Sequence, residues 1–264
     1  MNFIIKGDIK MNKYERLAEK LKNREKVIGT TMAMFRNPFI VERMNRDELD
    51  FILLDGEHGI YDVQSSIEMF QVCRLMGLPC FLRAQDAEYH LIAKAIDMGA
   101  DGIMLPRTES LEQLRTAVDA LLFAPDGRKG MGGHGQMRKG EKFADFKKTR
   151  FLMPQIESPK GIELLPKMLE EFGEYISAVM IGPYDLSVMV GTPCDIKSDV
   201  MIESIQKIFD ISNSYGKSCG IFCDDEVLAQ KYRDMGCNVL WTATDKDFFL
   251  RGYNQEMDVL ANIK

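Results

Sequence analysis

Short apolar runs alternate with longer amphipathic stretches along most of the chain. Runs that are apolar throughout, rather than alternating with polar residues, are typical of strands covered on both faces, as in parallel sheets. Their lengths and their turn-forming flanks also match buried strands. The pattern predicts eight strands, at 27–34, 51–56, 79–84, 102–107, 151–157, 178–183, 218–223 and 238–243.

The segments between these strands have helical spacing. Apolar residues recur every three or four positions over 63–77, and glycines end both this stretch and 89–99. Ser110 is placed to cap the helix that begins with LEQL. Strands that alternate with helices indicate βα units, and eight such units in 264 residues fit a (β/α)8 barrel. A doubly wound open sheet is the alternative, but no GxGxxG follows the first strand.

The pattern divides the chain into an N-terminal extension with one helix, 1–26, and a single barrel domain, 27–264. The first residues have too short an apolar run for a secretion signal or a membrane span. One long segment, 124–143, has neither an apolar run typical of a strand nor the helical spacing of apolar residues. It is rich in glycine and basic residues. It is predicted to be either a solvated connection or an active-site loop.

Composition narrows the choice of partners and compartment. The net charge is -6, so we expect no general attraction to nucleic acid or to anionic membranes. The six cysteines include no CxxC pair and no secretion signal accompanies them, which favours reduced thiols in the cytoplasm. Composition therefore disfavours nucleic acid and membranes as partners and leaves a small-molecule substrate open.

Residues with reactive side chains cluster at the C-terminal ends of the predicted strands. Active sites of (β/α)8 barrels form at this end, so several such residues there predict a site. They are Asp55, Glu57 and His58 after strand two, Arg83 after strand three, Gln155 and Glu157 after strand five, and Gly182, Pro183, Tyr184 and Asp185 after strand six.

Glu157 and Asp185 end adjacent predicted strands. Two carboxylates with open positions beside them suit a hard divalent ion such as Mg2+ or Mn2+, although each residue could equally cap the helix that follows it. Such an ion would act as a Lewis acid on a substrate that it binds. The backbone N–H groups around Gly182, Tyr184 and Asp185 could hold a carboxylate of that substrate, while Pro183 can only shape the turn.

His58 and Arg83 are the predicted reactive groups. Histidine has a reference pKa of ~6.5 and suits proton transfer near neutral pH. A buried guanidinium such as Arg83 requires an anion, either a developing oxyanion or, as the alternative, an ion pair with Asp55 or Glu57. No predicted strand has a lysine in its interior, which disfavours a Schiff-base mechanism.

The ordered set LLDGEH, FLRA, IDMGADGIMLPRTES, PQIES and IGPYDLSVMVG resembles the HpcH/HpaI aldolase family, over about residues 27–250. The resemblance implies a barrel of the phosphoenolpyruvate/pyruvate-binding type. It also implies a metal-dependent pyruvate aldolase that reversibly cleaves a 4-hydroxy-2-oxo acid to pyruvate and an aldehyde. A homo-oligomer, often a hexamer built as a trimer of dimers, is implied as well.

The resemblance also implies roles for individual residues. Glu157 and Asp185 would hold the divalent metal ion, which could be Mg2+, Mn2+ or Co2+. Gln155 would contact the substrate together with the turn at 182–185. Asp97 would raise the basicity of His58, which would act through a metal-bound water. Asp55 is counted with the catalytic residues His58, Arg83 and Asp97.

Departures from the family pattern leave the aldehyde unidentified. The usual GxRG reads GRKG here, and TTMAMF after the first strand lacks the usual tryptophan. Two alternatives also remain open. One is an acyl-CoA lyase like the citrate lyase β-subunit, which needs a basic groove that only 128–142 could offer. The other is a barrel that binds a 2-oxo acid without turning it over.

Overall fold

The computed structural model describes residues 11–223 and 225–263. The predicted extension, 1–10, lies outside the described residues. All eight predicted strands are present and pair in parallel. Their bounds are β1 Val27–Met32, β2 Phe51–Asp55, β3 Cys80–Arg83, β4 Gly102–Leu105, β5 Phe151–Pro154, β6 Ala178–Ile181, β7 Ser218–Cys223 and β8 Val239–Thr244.

The sheet curls into a barrel. β1 pairs with both β2 and β8, so the first and last strands are neighbours. β5 and β6 meet through two isolated parallel bridges, Leu152 with Ile176 and Gln155 with Met180, which nearly close the sheet. The predicted (β/α)8 barrel is confirmed, and the open-sheet alternative is wrong because its first and last strands would lie apart.

Helices alternate with the strands as the periodicity predicted. Ser110 caps its helix by accepting a hydrogen bond from the Gln113 N–H, as expected. The helix predicted over 63–77 begins only at Ile67, since Asp62 and Ser65 form a hydrogen-bonded turn before it. The bounds are α1 Lys13–Asn23, α2 Phe39–Met44, α3 Ile67–Leu75, α4 Tyr89–Met98, α5 Leu111–Leu121, α6 Pro159–Phe172, α7 Pro183–Met189, α8 Asp199–Ser214, α9 Glu226–Asp234 and α10 Asp245–Ala261.

Apolar side chains fill the N-terminal half of the barrel. The rings of Phe51 and Phe81 stack with centroids 5.0 Å apart, and Phe81 lies against Phe151 at 5.2 Å. Gly29 makes room for this stack, because a Cβ there would lie 2.1 Å from the Phe51 ring. Helix α1 adds Leu17 to the same cluster. The N-terminal half of the barrel interior is therefore a packed core, and the open space for a site lies at the C-terminal end of the strands.

The glycine-rich segment 124–143 joins α5 to β5, so it lies at the N-terminal end of the barrel of this chain. It is well anchored there. Lys129 and Gln136 are buried, and Arg138 binds Asp101 at 2.7 Å where β4 begins. The segment is thus a mostly exposed connection that is held at a few points, and it does not cover this chain's own active site. Among the described residues, no helix is long and apolar enough to cross a membrane.

Candidate active site

Side-chain alternation brings three polar residues into the C-terminal mouth of the barrel. Successive residues of a strand point to opposite faces, so positions two apart share a face. Phe51 and Leu53 belong to the interior cluster, and Asp55 continues their series. By the same rule Arg83 follows Phe81 on β3, and Gln155, directly after β5, follows Met153. All three polar residues are buried, so the site is part of the barrel interior.

Asp55 holds Arg83 and the turn after β2. Its two carboxylate oxygens accept hydrogen bonds from Arg83 Nε at 2.8 Å and Nη2 at 2.6 Å. Asp55 Oδ1 also accepts hydrogen bonds from the backbone N–H groups of Glu57 and His58, at 3.1 and 3.2 Å. Burial alone would raise the pKa of Asp55, but these hydrogen bonds and the Arg83 charge hold it below its usual value. The ion pair expected as the alternative role of Arg83 is therefore present.

Glu57 lies between two guanidinium groups and a histidine. Its Oε2 is 3.1 Å from Arg83 Nη1 and 3.7 Å from His58 Nε2, and its Oε1 is 3.4 Å from Arg107 Nε. Oε2 is buried but makes no well-directed hydrogen bond in the described part of the chain. Burial raises the pKa of Glu57. This carboxylate therefore links the second, third and fourth strand ends.

His58 stands at the mouth of the site. Its side chain is 60% exposed, and its Nε2 is 4.0 Å from Asp185 Oδ2. Asp185 is itself half-exposed at the start of α7. The His58 imidazole can therefore be reached from solvent and lies close to the Asp185 carboxylate.

Glu157 is the most deeply buried carboxylate of the group. Its oxygens accept hydrogen bonds from Gln155 Nε2 at 2.7 Å and from the Arg107 N–H at 3.0 Å. Burial raises the pKa of Glu157 to about 8, and the nearby charges of Asp185 and Glu57 add to the effect. Gly182 leaves room for this carboxylate, because a Cβ at that position would lie 1.9 Å from Glu157 Oε1.

The donor set fits a divalent cation. Asp55, Glu57, Glu157 and Asp185 supply four carboxylates, against the two guanidinium groups of Arg83 and Arg107. With all four carboxylates ionised and His58 neutral, the net charge of these groups is -2. The Gln155 Oε1 is also buried without a hydrogen-bond partner among the described residues. Those residues contain no group of three or more histidine, cysteine or acidic side chains arranged to hold a metal. A metal ion held here would therefore rest on two carboxylates, with substrate and solvent completing its coordination.

The raised pKa of Glu157 gives a stability prediction for the metal-free protein. An unfolded glutamate has a pKa of about 4.3. Between that value and about 8, the folded protein keeps a proton that the unfolded chain has released. The free energy of unfolding should therefore fall as the pH rises through this window. Urea unfolding in EDTA at pH 5 and pH 8 measures the fall.

The control for this prediction is a pair of isosteric substitutions. Glu157→Gln removes the titrating group, so its stability should change less between the two pH values than that of the wild type. Glu163→Gln, on the exposed side of α6, should follow the wild type. Equal slopes for the wild type and Glu157→Gln would contradict the raised pKa.

The structure does not bring Asp97 to His58. Asp97 lies in the last turn of α4, which leads to the start of β4 at the opposite end of the barrel. Its carboxylate accepts hydrogen bonds from Lys129 Nζ at 2.5 Å and from Gln136 Nε2 at 2.6 Å. The pairing with His58 that the family resemblance implied is therefore absent within this chain, because the glycine-rich segment occupies the carboxylate.

Sequence reasoning missed the aromatic wall of the site. Trp241 is buried inside β8, donates its indole N–H to Thr31 Oγ1, and lies 5.9 Å from the Arg83 guanidinium. Phe222 packs edge-on against Trp241 at 5.2 Å, and Tyr184 lies 6.4 Å from Phe222. Alternation from Val239 could have indicated that Trp241 points inward. The mouth thus has a charged side on β2–β6 and an aromatic side on β6–β8.

The segment TTMAMF, which lacks the tryptophan usual in the family, is hydrogen-bonded to the side chain of Asp245. The buried Asp245 carboxylate accepts the backbone N–H groups of Ala33, Met34 and Phe35 at 2.7–3.2 Å. Three charge-assisted hydrogen bonds fix this turn. The rim beside β1 is therefore shaped by Asp245 at the start of α10.

Comparison with known proteins assigns the chain to a family. A family model described as HpcH/HpaI aldolase/citrate lyase matches residues 33–251. The chain is 31% identical over 219 residues to the hydroxypyruvate/pyruvate aldolase of Delftia acidovorans, covering 81% of this chain and 80% of that protein. It is 25% identical over 251 residues to the 2-keto-3-deoxy-L-rhamnonate aldolase of Salmonella typhi, covering 93% of each.

A solved structure shows the same fold. The HpcH/HpaI aldolase from Desulfitobacterium hafniense DCB-2 superposes with a TM-score of 0.86 at 24% identity, covering 93% of this chain and 96% of that one. The resemblance predicted from LLDGEH, PQIES and IGPYDLS is confirmed. The chain belongs to the HpcH/HpaI aldolase/citrate lyase family.

Proposed function

We propose that the protein is a metal-dependent aldolase that reversibly cleaves a 4-hydroxy-2-oxo acid to pyruvate and an aldehyde. The observation that carries the proposal is the buried Glu157 beside Asp185, with His58 and Arg83 at the same mouth of the barrel. The aldolase names of the relatives support it.

The pyruvate half of the substrate would bind at the end of β5 and β6. Glu157 and Asp185 would hold Mg2+, Mn2+ or Co2+, and the bound ion would supply Lewis-acid stabilisation of negative charge. Gln155, whose Oε1 lacks a partner in the described chain, would contact the substrate. The backbone N–H groups of Gly182, Tyr184 and Asp185 would hold its carboxylate, and Pro183 would shape their turn.

Proton transfer and charge stabilisation would come from β2 and β3. His58 would take the proton from the C4 hydroxyl. The C3–C4 bond then breaks, the hydroxyl oxygen becomes the aldehyde carbonyl, and the electron pair passes to the enolate. Arg83 would stabilise the developing oxyanion, and Asp55 would position Arg83 through its bidentate hydrogen bond. Protonation at C3 gives pyruvate.

Steady-state assays with pyruvate and a panel of simple aldehydes test the proposal. We expect aldol addition and its reverse with at least one aldehyde, and no cleavage of acyl-CoA thioesters. The basic segment 128–142, needed for a CoA groove, lies at the opposite end of the barrel. Turnover of a thioester alone would favour the citrate lyase alternative, and binding of pyruvate without any turnover would favour the non-catalytic one.

Tyr184 should influence which aldehyde is accepted. It directly precedes Asp185 and forms the exposed end of the aromatic wall. Apolar contacts discriminate by roughly 10–200-fold per methylene-sized change, so Tyr184→Ala should alter aldehyde ranking by about that order. Competition between aldehydes of different size measures the ranking. Tyr215→Ala, at the far end of α8, is the control. An unchanged ranking in Tyr184→Ala would show that specificity is set elsewhere.

We also propose that the protein works as a homo-oligomer, with the hexamer as the family-based expectation. Helix α10 exposes Phe249, Tyr253 and Leu260, among others, although they are large and apolar. An apolar groove of about 620 Å3, lined by residues such as Ile40 and Met44, lies beside its first turn. Large exposed apolar surfaces mark association sites. Sedimentation equilibrium tests the assembly, and a monomer at all concentrations would contradict it.

Residues 27–264 are proposed to act as one barrel domain, preceded by the helix of the 1–26 segment, and to work in the cytoplasm. Helix α1 supports the first point, because its Leu17 and Leu21 pack into the barrel's interior cluster. Limited proteolysis tests it, since one domain should yield one protected core.

A further inference from the structure

A second cavity lies at the N-terminal end of the barrel, away from the candidate active site. It has a volume of about 820 Å3 and is bounded by α1, α3 and residues 138–145. Small-molecule sites typically have volumes of ~300–1,000 Å3. Most of its lining is polar or charged and includes Asn12, Gln71, Arg74, Lys139 and Lys142. The cavity therefore suits a polar ligand of metabolite size.

Beside this cavity, three guanidinium groups share two carboxylates. Asp101 is fully buried, and its Oδ1 is 2.7 Å from Arg138 Nη1 and 4.0 Å from Arg74 Nη2. Glu141 Oε1 is 2.9 Å from Arg150 Nη1, and Arg138 also donates to it. Burial lowers the pKa of Arg150, and the nearby charge of Arg138 adds to the effect. With all five groups ionised, the net charge of this cluster is +1.

Arg74 is the least satisfied of the three arginines. Its Nε and Nη2 are buried and make no hydrogen bond to the described residues, and its Nη1 makes one long bond, 3.4 Å, to the Met137 carbonyl oxygen. The Tyr14 hydroxyl is likewise buried without a partner in the described chain. Unpaired buried donors cost free energy, and a buried positive charge requires an anion nearby. An anion in the cavity would supply what Arg74 lacks.

The mouth of the cavity adds positive charge of its own. Lys139 and Lys142 are exposed there and form no ion pair with any described residue. The lining acids near them are already engaged. Glu15 completes the capping box of α1, and Asp145 Oδ1 is 2.8 Å from Lys148 Nζ. The mouth and the buried cluster therefore attract the same kind of ligand, one with negative charge.

We propose that this cavity binds a small phosphate monoester, with Arg74 as its main contact and Lys139 and Lys142 at the mouth. The Nε–Nη2 edge of a guanidinium pairs with two phosphate oxygens. Because Arg74 keeps only one long hydrogen bond, a rotation of its side chain would bring this edge to the phosphate. The neutral side chains of Asn12 and Gln71 would contact hydroxyl groups of the ester. This site is independent of the proposed aldolase function.

Isothermal titration calorimetry on the full chain tests the proposal, with inorganic phosphate, glycerol 3-phosphate and glycerol as probes at constant ionic strength. We expect the wild type to bind both anions, the ester more tightly, and not to bind glycerol. Arg74→Met should weaken the binding of both anions by about 10–100-fold, the effect of losing one hydrogen bond to a charged group. None of these measurements requires aldolase turnover.

Thermal unfolding of Arg74→Met separates ligand binding from a structural role. The substitution keeps a long side chain and leaves two guanidinium groups for two carboxylates. Without phosphate, the variant should therefore unfold at the same temperature as the wild type or higher, and added phosphate should raise only the wild-type value. A structural arginine would behave differently, because its loss would lower the unfolding temperature in phosphate-free buffer and leave the phosphate affinity unchanged.

Replacement of the two lysines at the mouth gives a second test, which also serves if Arg74→Met does not fold. Lys139→Gln combined with Lys142→Gln should weaken phosphate binding by several-fold, a smaller effect because solvent screens exposed charges. Lys207→Gln is the matched control, since Lys207 is exposed on α8 and forms no ion pair with the described residues. We expect this variant to keep the wild-type affinity.

Four results would overturn the inference. The first is a wild type that binds neither anion. The second is equal phosphate affinity in the wild type and Arg74→Met, which would place the anion elsewhere, such as the C-terminal mouth of the barrel. The third is an equal loss of affinity in Lys207→Gln, which would indicate a general effect of net charge. The fourth is binding of inorganic phosphate without any gain from glycerol 3-phosphate, which would indicate a site for free phosphate only.

Discussion

Removal of divalent metal ions should abolish aldol cleavage, and Mg2+, Mn2+ or Co2+ should restore it. The expectation follows from the charges at the barrel mouth, where four carboxylates face two guanidinium groups and burial raises the pKa of Glu157 to about 8. Without a cation, Glu157 would hold a proton or an unpaired buried charge, and neither form can stabilise an enolate. Activity after EDTA dialysis, with the metal content measured by elemental analysis, is the test.

Glu157→Gln should have nearly the same effect as chelation. The substitution keeps the shape of the side chain but removes the charge that would attract a cation, so Mn2+ affinity and turnover should fall together. Glu163→Gln, made on the exposed face of α6, should change neither. Full turnover by protein shown to be metal-free would contradict the metal assignment.

Replacement of His58 should lower turnover by ~10²–10⁴-fold, which is the typical effect of losing a general base. His58 Nε2 lies 3.7 Å from Glu57 and 4.0 Å from Asp185, so it is the imidazole nearest to the proposed substrate position. His58→Ala should reduce kcat, while pyruvate still binds through Gln155 and the turn at 182–185. Stopped-flow cleavage and a separate pyruvate-binding measurement distinguish the two effects.

His90→Ala provides the control, because His90 lies exposed on α4. Arg83→Lys is an informative companion. It keeps the positive charge but loses the planar fork that binds Asp55 in two places, so we expect a lower kcat with little change in metal affinity. Near-normal turnover in His58→Ala would show that another group accepts the proton.

Much of this arrangement could be predicted from the sequence, because burial and alternation are local properties. Apolar runs indicated all eight strands. The predicted runs were too long at their ends, as in 151–157, where β5 stops at Pro154. The extra residues lie beyond the strand itself, and Gln155, which bridges to Met180, and Glu157 are among them. The apolar runs therefore predicted the fold, and the polar residues at their ends predicted most of the candidate site.

Tertiary contacts explain what the sequence could not indicate. Asp97 was assigned to His58 by resemblance, but its position in the last turn of α4 places it with Lys129. The left-handed backbone of Arg107, which aims its N–H at Glu157, depends on packing at the barrel mouth rather than on local preference. The contact of Trp241 with Thr31 likewise depends on β8 pairing with β1, far apart in sequence.

Hydrogen exchange at the methyl group of pyruvate tests the proposed chemistry most directly, since it needs no knowledge of the aldehyde. In D2O with Mg2+ or Mn2+, the wild type should introduce deuterium into that methyl group. EDTA should stop the exchange, and sodium borohydride should trap no lysine adduct, since the described strands contain no lysine. Exchange that persists without metal, together with a borohydride-trapped adduct of pyruvate, would contradict a metal-dependent enolate mechanism at Glu157 and Asp185.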